Sequence, residues 1–235
     1  MMKKLLVLTL VCLLCSCAAA NKESQAENQP AAPATDQQKT ESLSWSKIPG
    51  DSVNVKMVAK FLSEAASFQL PRPFVPAFDQ PGANNTSYLA GFVPEGENVE
   101  KWSQMILVTG YSNLAANKNV TPASLSQQMA SQVKSSCPTT FSSLEFKPTK
   151  IGGHEAEAAV MGCGVSSMSK GTDSQMTLVI FIKGEKDYYS VQWAERGKVS
   201  KRPPPIDEGK WKARFQKLSP ITLMSATEAP PPNQK

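Results

Sequence analysis

Ser174–Arg196 reads SQMTLVIFIKGEKDYYSVQWAER. Met176, Leu178, Ile180 and Ile182 recur at every second residue, and so do Tyr189, Val191 and Trp193. Successive side chains of a strand point to opposite faces, so each set lies on one face. Gly184-Glu185-Lys186-Asp187 between them supplies turn residues, and the stretch predicts a long antiparallel hairpin. Two strands alone do not bury an apolar face; further strands or a helix must cover it.

Working outward, Tyr88–Val93 and Trp102–Tyr111 predict two more strands, with the loop Pro94-Glu95-Gly96-Glu97 after the first. Phe141–Phe146 predicts another. His154–Val160 puts Ala156, Ala158 and Val160 on one face and Glu155 and Glu157 on the other, which is read as solvated. Thr121-Pro122 is a helix start: the threonine caps free amides and proline suits the first turn. Leu125, Met129 and Val133 follow at helical spacing, and Pro138 ends the run after Cys137. A last helix from about Ile206 carries Trp211, Phe215 and Leu218. In Asp51–Phe68 both periods are present, Val53, Val55 and Met57 as in a strand, Met57, Phe61 and Ala65 as in a helix. The later half is expected to be helical, with Pro71, Pro73 and Pro76 beyond it, and Asn84-Asn85-Thr86 is expected to open a turn. Antiparallel strands with helices before, between and after them predict an α+β class, a mostly antiparallel sheet covered by helices.

The order of these elements, with Ile151-Gly152-Gly153-His154-Glu155-Ala156, the long hairpin and the closing Trp211 helix, resembles the PsbP-like α/β/α sandwich. That fold includes a photosystem II extrinsic subunit, a nuclear-import factor and small bacterial lipoproteins. Phe92-Val93-Pro94-Glu95-Gly96-Glu97 followed by Trp102 resembles a pattern of exported proteins of this kind. The resemblance spans Ser44 to Ser225 and implies a partner-binding domain without catalytic residues to carry over.

The amino end has its own signal. Lys3 and Lys4 precede the apolar run Leu5–Leu14. Ten residues are too few to cross a bilayer, which needs about 20, so residues 1–16 read as a signal peptide. Leu14-Cys15-Ser16-Cys17 resembles the lipobox of bacterial lipoproteins, in which the cysteine thiol receives a diacylglycerol and cleavage frees its amino group. The resemblance makes Cys17 the lipidation site and the membrane a partner through that lipid. Ala18 after it, rather than aspartate, implies an outer-membrane lipoprotein facing the periplasm. The alternative is cleavage within Ala18-Ala19-Ala20, which gives a soluble periplasmic protein. Residues 17–44 are rich in Gln, Ala, Pro and Ser, a composition that cannot offset its ordering entropy and reads as anchor and tether. Residues 45–225 form the globular domain, and 226–235, with Pro230-Pro231-Pro232, a tail.

Five cysteines are present. Cys12 and Cys15 leave with the signal and Cys17 is acylated, so Cys137 and Cys163 are left as a pair. In an oxidising compartment that predicts a disulfide. A catalytic thiol is the competing reading.

Without Lys3 and Lys4 the chain has 23 basic residues against 20 acidic, too mild a balance for nucleic acid. His154 is the only histidine, so a Ser-His-Asp or Cys-His mechanism must use it. Beside two glycines at a strand start, it reads as structural. The paired acids Glu155 and Glu157 read as surface residues, not a glycosidase pair. The aspartates lack calcium-loop spacing, no metal or cofactor is expected, and Gly162-Cys163-Gly164 lacks the spacing of a nucleotide loop. The most asymmetric stretch is Arg196–Lys217. Arg196, Lys198, Lys201, Arg202, Lys210, Lys212, Arg214 and Lys217 face only Asp207 and Glu208 there, with Lys210, Arg214 and Lys217 opposite Trp211 on the helix. It reads as a solvated face or as a docking patch for anionic lipid or an acidic envelope partner. These readings leave a non-catalytic envelope accessory, a periplasmic ligand-binding module, and a hydrolase without a histidine base. A deep polar pocket favours the latter two, an exposed apolar patch the first.

Overall fold

The computed structural model describes residues 54–60, 62–82, 86–146 and 149–227. The signal peptide, Cys17, the tether, Val53, Phe61, Asn84-Asn85 and Pro230–Pro232 lie outside the described residues.

The hairpin at the centre is strand β9 (Ser174–Lys183) followed by β10 (Tyr188–Gly197). Its register sets Ile182 opposite Tyr189, Ile180 opposite Val191 and Leu178 opposite Trp193, so the two apolar sets share a face. Around it lie β3 (Phe74–Pro81), β4 (Ser87–Pro94), β5 (Gln104–Tyr111), β6 (Phe141–Glu145), β7 (Thr149–Ile151) and β8 (His154–Cys163). They form an eight-stranded sheet in the order β3-β4-β5-β10-β9-β8-β6, with β7 also paired to β8. Strands β1 (Asn54–Lys60), β2 (Glu64–Pro71) and β11 (Thr222–Ser225) make a second sheet in the order β1-β2-β11. Among the described residues every pairing is antiparallel, and with two α-helices beside the sheets the class is α+β as expected.

The helices are α1 (Pro122–Ser136) and α2 (Glu208–Leu218). At the start of α1, the Thr121 side chain accepts from the Ser124 amide at 3.0 Å and the Ser124 hydroxyl accepts from the Thr121 amide at 2.9 Å. Two amides that would lack partners are thereby satisfied. α1 packs on one face of the large sheet, where Leu125 meets Ala159, Met161, Val179, Phe181 and Tyr188. The small sheet and α2 cover the other face. Met57, Phe68, Trp211 and Leu218 bury there against Leu178, Ile180, Val191 and Trp193.

Three expectations need correction. The later half of Asp51–Phe68 is not helical: its described residues form β1, the connection and the start of β2. Met57, Val58 and Ala59 are all buried, as are Ala65, Ala66 and Phe68. Val58 packs with Ala65 and Met224 on one face while Met57 and Phe68 join the core on the other. A strand covered on both sides lacks clean alternation, and the helical spacing is coincidental. The proline-rich stretch beyond is itself a strand, β3. It lies at the edge of the sheet with a register shift between Pro76 and Phe78, where missing amide donors are tolerated. Glu157 is 5% exposed, not solvated, because the face of β8 that bears it lies beneath the first turn of α1.

Candidate docking surface at the disulfide end of the sheet

Antiparallel order brings four connections to one end of the large sheet: residues 95–103 between β4 and β5, 137–140 before β6, 164–173 between β8 and β9, and 198–207 before α2. Here Cys137, which closes α1, is bonded to Cys163, the last residue of β8, with Cα atoms 5.9 Å apart. That lies within the range a disulfide accepts, and the bridge pins α1 to the sheet as expected. Backbone bonds continue the stitching. The Gly164 amide donates to the Thr140 carbonyl at 2.9 Å, the Ser200 amide to the Gly164 carbonyl at 2.8 Å, and the Arg196 amide to the Ser103 carbonyl at 2.8 Å. Gly164 has a reason to be glycine: a β-carbon there would run into the carbonyl oxygens of Ser200 and Arg202. Ser142 donates to the Pro204 carbonyl at 2.8 Å. Four chain segments thus form one tied surface, called the pole below.

Each loop holds itself in shape. The Glu97 carboxylate accepts from the Ser103 amide and hydroxyl at 2.6 and 2.7 Å. The Ser169 hydroxyl accepts from the Asp173 amide at 3.0 Å, and the Ser166 amide donates to the Asp173 carbonyl at 2.9 Å. Ser200 turns the last loop by accepting from the Arg202 amide at 3.2 Å. On these loops stand Val99, Met168 and Val199, at 38%, 43% and 38% exposure the exposed large apolar side chains among the described residues. All three come to the same end of the sheet.

The structure divides the basic stretch expected as one docking patch. Arg214 donates from Nε to Glu195 at 2.7 Å, and its guanidinium lies 4.6 Å from the centre of the Trp193 ring. Lys210 also reaches Glu195, at 2.5 Å, and lies 5.2 Å from the Trp211 ring. Lys212 pairs with Glu208 at 2.6 Å. Arg196 is half-buried with its guanidinium 3.8 Å from the Trp102 ring centre, a cation–π contact. Burial lowers its pKa from the ordinary value, and the nearby Asp173 charge opposes that. Lys210 and Arg214 hold α2 to β10 and Arg196 holds the loop between β4 and β5 to it, while the Lys212 pair stays within α2. Lys198, Lys201 and Arg202 are exposed at the pole, while Lys217 sits in the last turn of α2, about 16 Å of helix away.

At the opposite end is a polar cluster that the sequence did not signal. Asp187, 3% exposed, accepts from the Ser63 amide and hydroxyl at 2.9 and 2.6 Å and from the Asn113 amide at 2.7 Å. Glu64, 6% exposed, accepts from the Glu185 amide at 3.1 Å, and Tyr189 donates to the Glu64 carbonyl at 3.3 Å. Each is a separate acid or hydroxyl in the sequence; only the pairing of the hairpin turn with the start of β2 assembles them. The cluster locks the small sheet to the hairpin. His154 has Nδ1 3.2 Å from the Lys183 carbonyl, a contact that fixes the ring at the strand end. An open groove of about 600 Å³ runs past Thr121, Pro122, Lys150, Glu155 and Glu157. Glu155 lies 3.9 Å from Lys183, so the two acids expected on one face differ in setting. Among the described residues no three His, Cys, Asp or Glu side chains converge as a metal site, and no helix is long and apolar enough to cross a membrane.

No protein-family model matches the chain, and no curated protein does. Among solved structures it is similar to a chain described as "Protein Mog1 E65A mutant", at 12% identity over 70% of this chain and 85% of that one, with a TM-score of 0.39.

Proposed function

We propose that the chain is an exported lipoprotein acylated at Cys17, whose domain serves as a non-catalytic binding or assembly accessory of the cell envelope. The observation that carries this reading is the pole, a tied surface that gathers the exposed apolar side chains and a basic loop. Proteins gather such groups where they dock. The disulfide at its base supports export, because such bonds persist in oxidising compartments. The layering, α1 on one face and α2 with the small sheet on the other, supports reading the α+β domain as a PsbP-like sandwich. His154 has a structural part in this account, held at the Lys183 carbonyl. The outer membrane is the proposed site, on the alanine that follows Cys17.

The experiment is metabolic labelling. Radiolabelled palmitate is expected to enter the wild type and not Cys17→Ser, which moves to the soluble periplasmic fraction. Equal labelling of both proteins removes the anchor and leaves the product of cleavage within Ala18–Ala20. A turnover that survives loss of the anchor but disappears in His154→Ala contradicts the non-catalytic part.

A further inference from the structure

We propose that the pole is a membrane-contact surface. Lys170, Lys198, Lys201 and Arg202 meet anionic lipid head groups, and Met168 and Val199 enter the interface between them. The inference rests on the export and acylation reading and names the partner of that same surface.

Three observations select a lipid surface over an acidic protein. The first is the point at which the chain enters the domain. β1 begins at Asn54, opposite Pro71, and the next turn lies at the pole, where the Pro73 carbonyl accepts the Glu95 amide at 2.9 Å. With Cys17 acylated, the 36 residues between it and Asn54 join the domain at this end. C-terminal β11 runs in the same direction as β1, from Thr222 opposite Ser67 to Ser225 opposite Glu64, and so ends at the other end.

The second is the chemistry of the tips. Lys198, Val199, Lys201 and Arg202 alternate around the tied Ser200, and Met168 stands two residues from exposed Lys170. Apolar side chains flanked by lysine and arginine suit a head-group layer, where charge meets phosphate and the apolar group lies deeper. Of the exposed acids of this end, Glu95 and Glu100 lie in the loop between β4 and β5 and Asp207 lies at the start of α2, so residues 198–205 themselves have none. Potential is therefore most positive over residues 198–205, while Lys170 and the half-buried Asp173 offset each other in residues 164–173.

The third is the shape of the surface. It consists of exposed loop tips that are already ordered by their own hydrogen bonds, so little further entropy is lost on contact. Such a contact need only be weak, because a tether holds it at an effective concentration on the order of millimolar.

The test uses the mature chain carrying Cys17→Ser, so that no acyl group contributes. It is mixed with vesicles of phosphatidylethanolamine and phosphatidylglycerol, or of phosphatidylcholine alone, and co-sedimentation is measured. Binding is expected to the phosphatidylglycerol vesicles only, and to weaken with salt. A basic residue near an anionic surface contributes about fivefold, so Lys198→Gln/Lys201→Gln/Arg202→Gln is expected to lower partitioning on the order of a hundredfold. Lys118→Gln/Lys150→Gln/Lys186→Gln removes the same charge from exposed sites at the opposite end and is expected to change it little. Both variants should melt with the parent. Absent binding, equal binding to phosphatidylcholine, or equal loss in the two variants overturns the proposal, as does an acidic protein captured by a chain that ignores vesicles. Because the tested chain has no lipid, failure here with palmitate entering the wild type strikes the pole alone. Vesicle binding without palmitate labelling strikes the lipoprotein reading alone.

Discussion

Glu64 and Glu157 are both carboxyls held away from water, and burial raises the pKa of each. For Glu64 the Glu185 amide and the His154 charge act against burial, while the Glu185 and Asp187 charges add to it. For Glu157 the Glu145 charge adds to it. A raised pKa means that the folded protein keeps a proton which the unfolded chain releases at about pH 4.3. Stability from these groups is therefore highest below that value and declines as pH rises through the folded pKa. Glu157→Gln is predicted to gain on the wild type as pH rises from 4.5 to 7.5, as read from urea midpoints. Glu64→Gln, whose amide oxygen still accepts from Glu185, should follow the same trend. Parallel curves for wild type and variants would remove the buried-carboxyl account.

At the scale of elements, the disulfide is the strongest single tie. It closes the chain from the end of α1 to the end of β8, a separation of 26 residues, and in the chain-entropy model such a bridge stabilises by about 3 kcal/mol. Cys137→Ala/Cys163→Ala is predicted to melt well below the wild type, and reductant should shift the wild type the same way. Free reaction of both thiols with an alkylating agent in protein isolated from the periplasm contradicts the bridge. This tie was legible in the sequence because cysteine parity and the export-like amino end are both read locally. So were the hairpin, the capped start of α1 and the Trp211 helix, where one face is apolar and the period clean. The strands β1, β2 and β3 were not. Two are buried on both faces, and β3 hides its pairing behind prolines at a sheet edge. The basic patch was half legible: composition showed the charge, but only the fold brings Glu195 beneath Lys210 and Arg214. The Glu64–Asp187 cluster joins residues more than a hundred positions apart, and no local period announces it.

The whole molecule has two unlike ends. One has the hairpin turn and a buried acidic lock; the other has the disulfide, the chain's point of entry and the exposed apolar tips. On the proposed reading, anchor, tether, pole and membrane form one arrangement, in which the acyl groups would hold the protein and the pole would set its orientation. Hydrogen exchange on the acylated wild type reads that orientation most directly, comparing phosphatidylglycerol-containing vesicles with micelles of a neutral detergent. Exchange on vesicles is expected to slow in residues 164–173 and 198–205, with residues 113–121 and 184–187 unchanged. Slowing at 184–187 instead, or no difference at the pole, contradicts it.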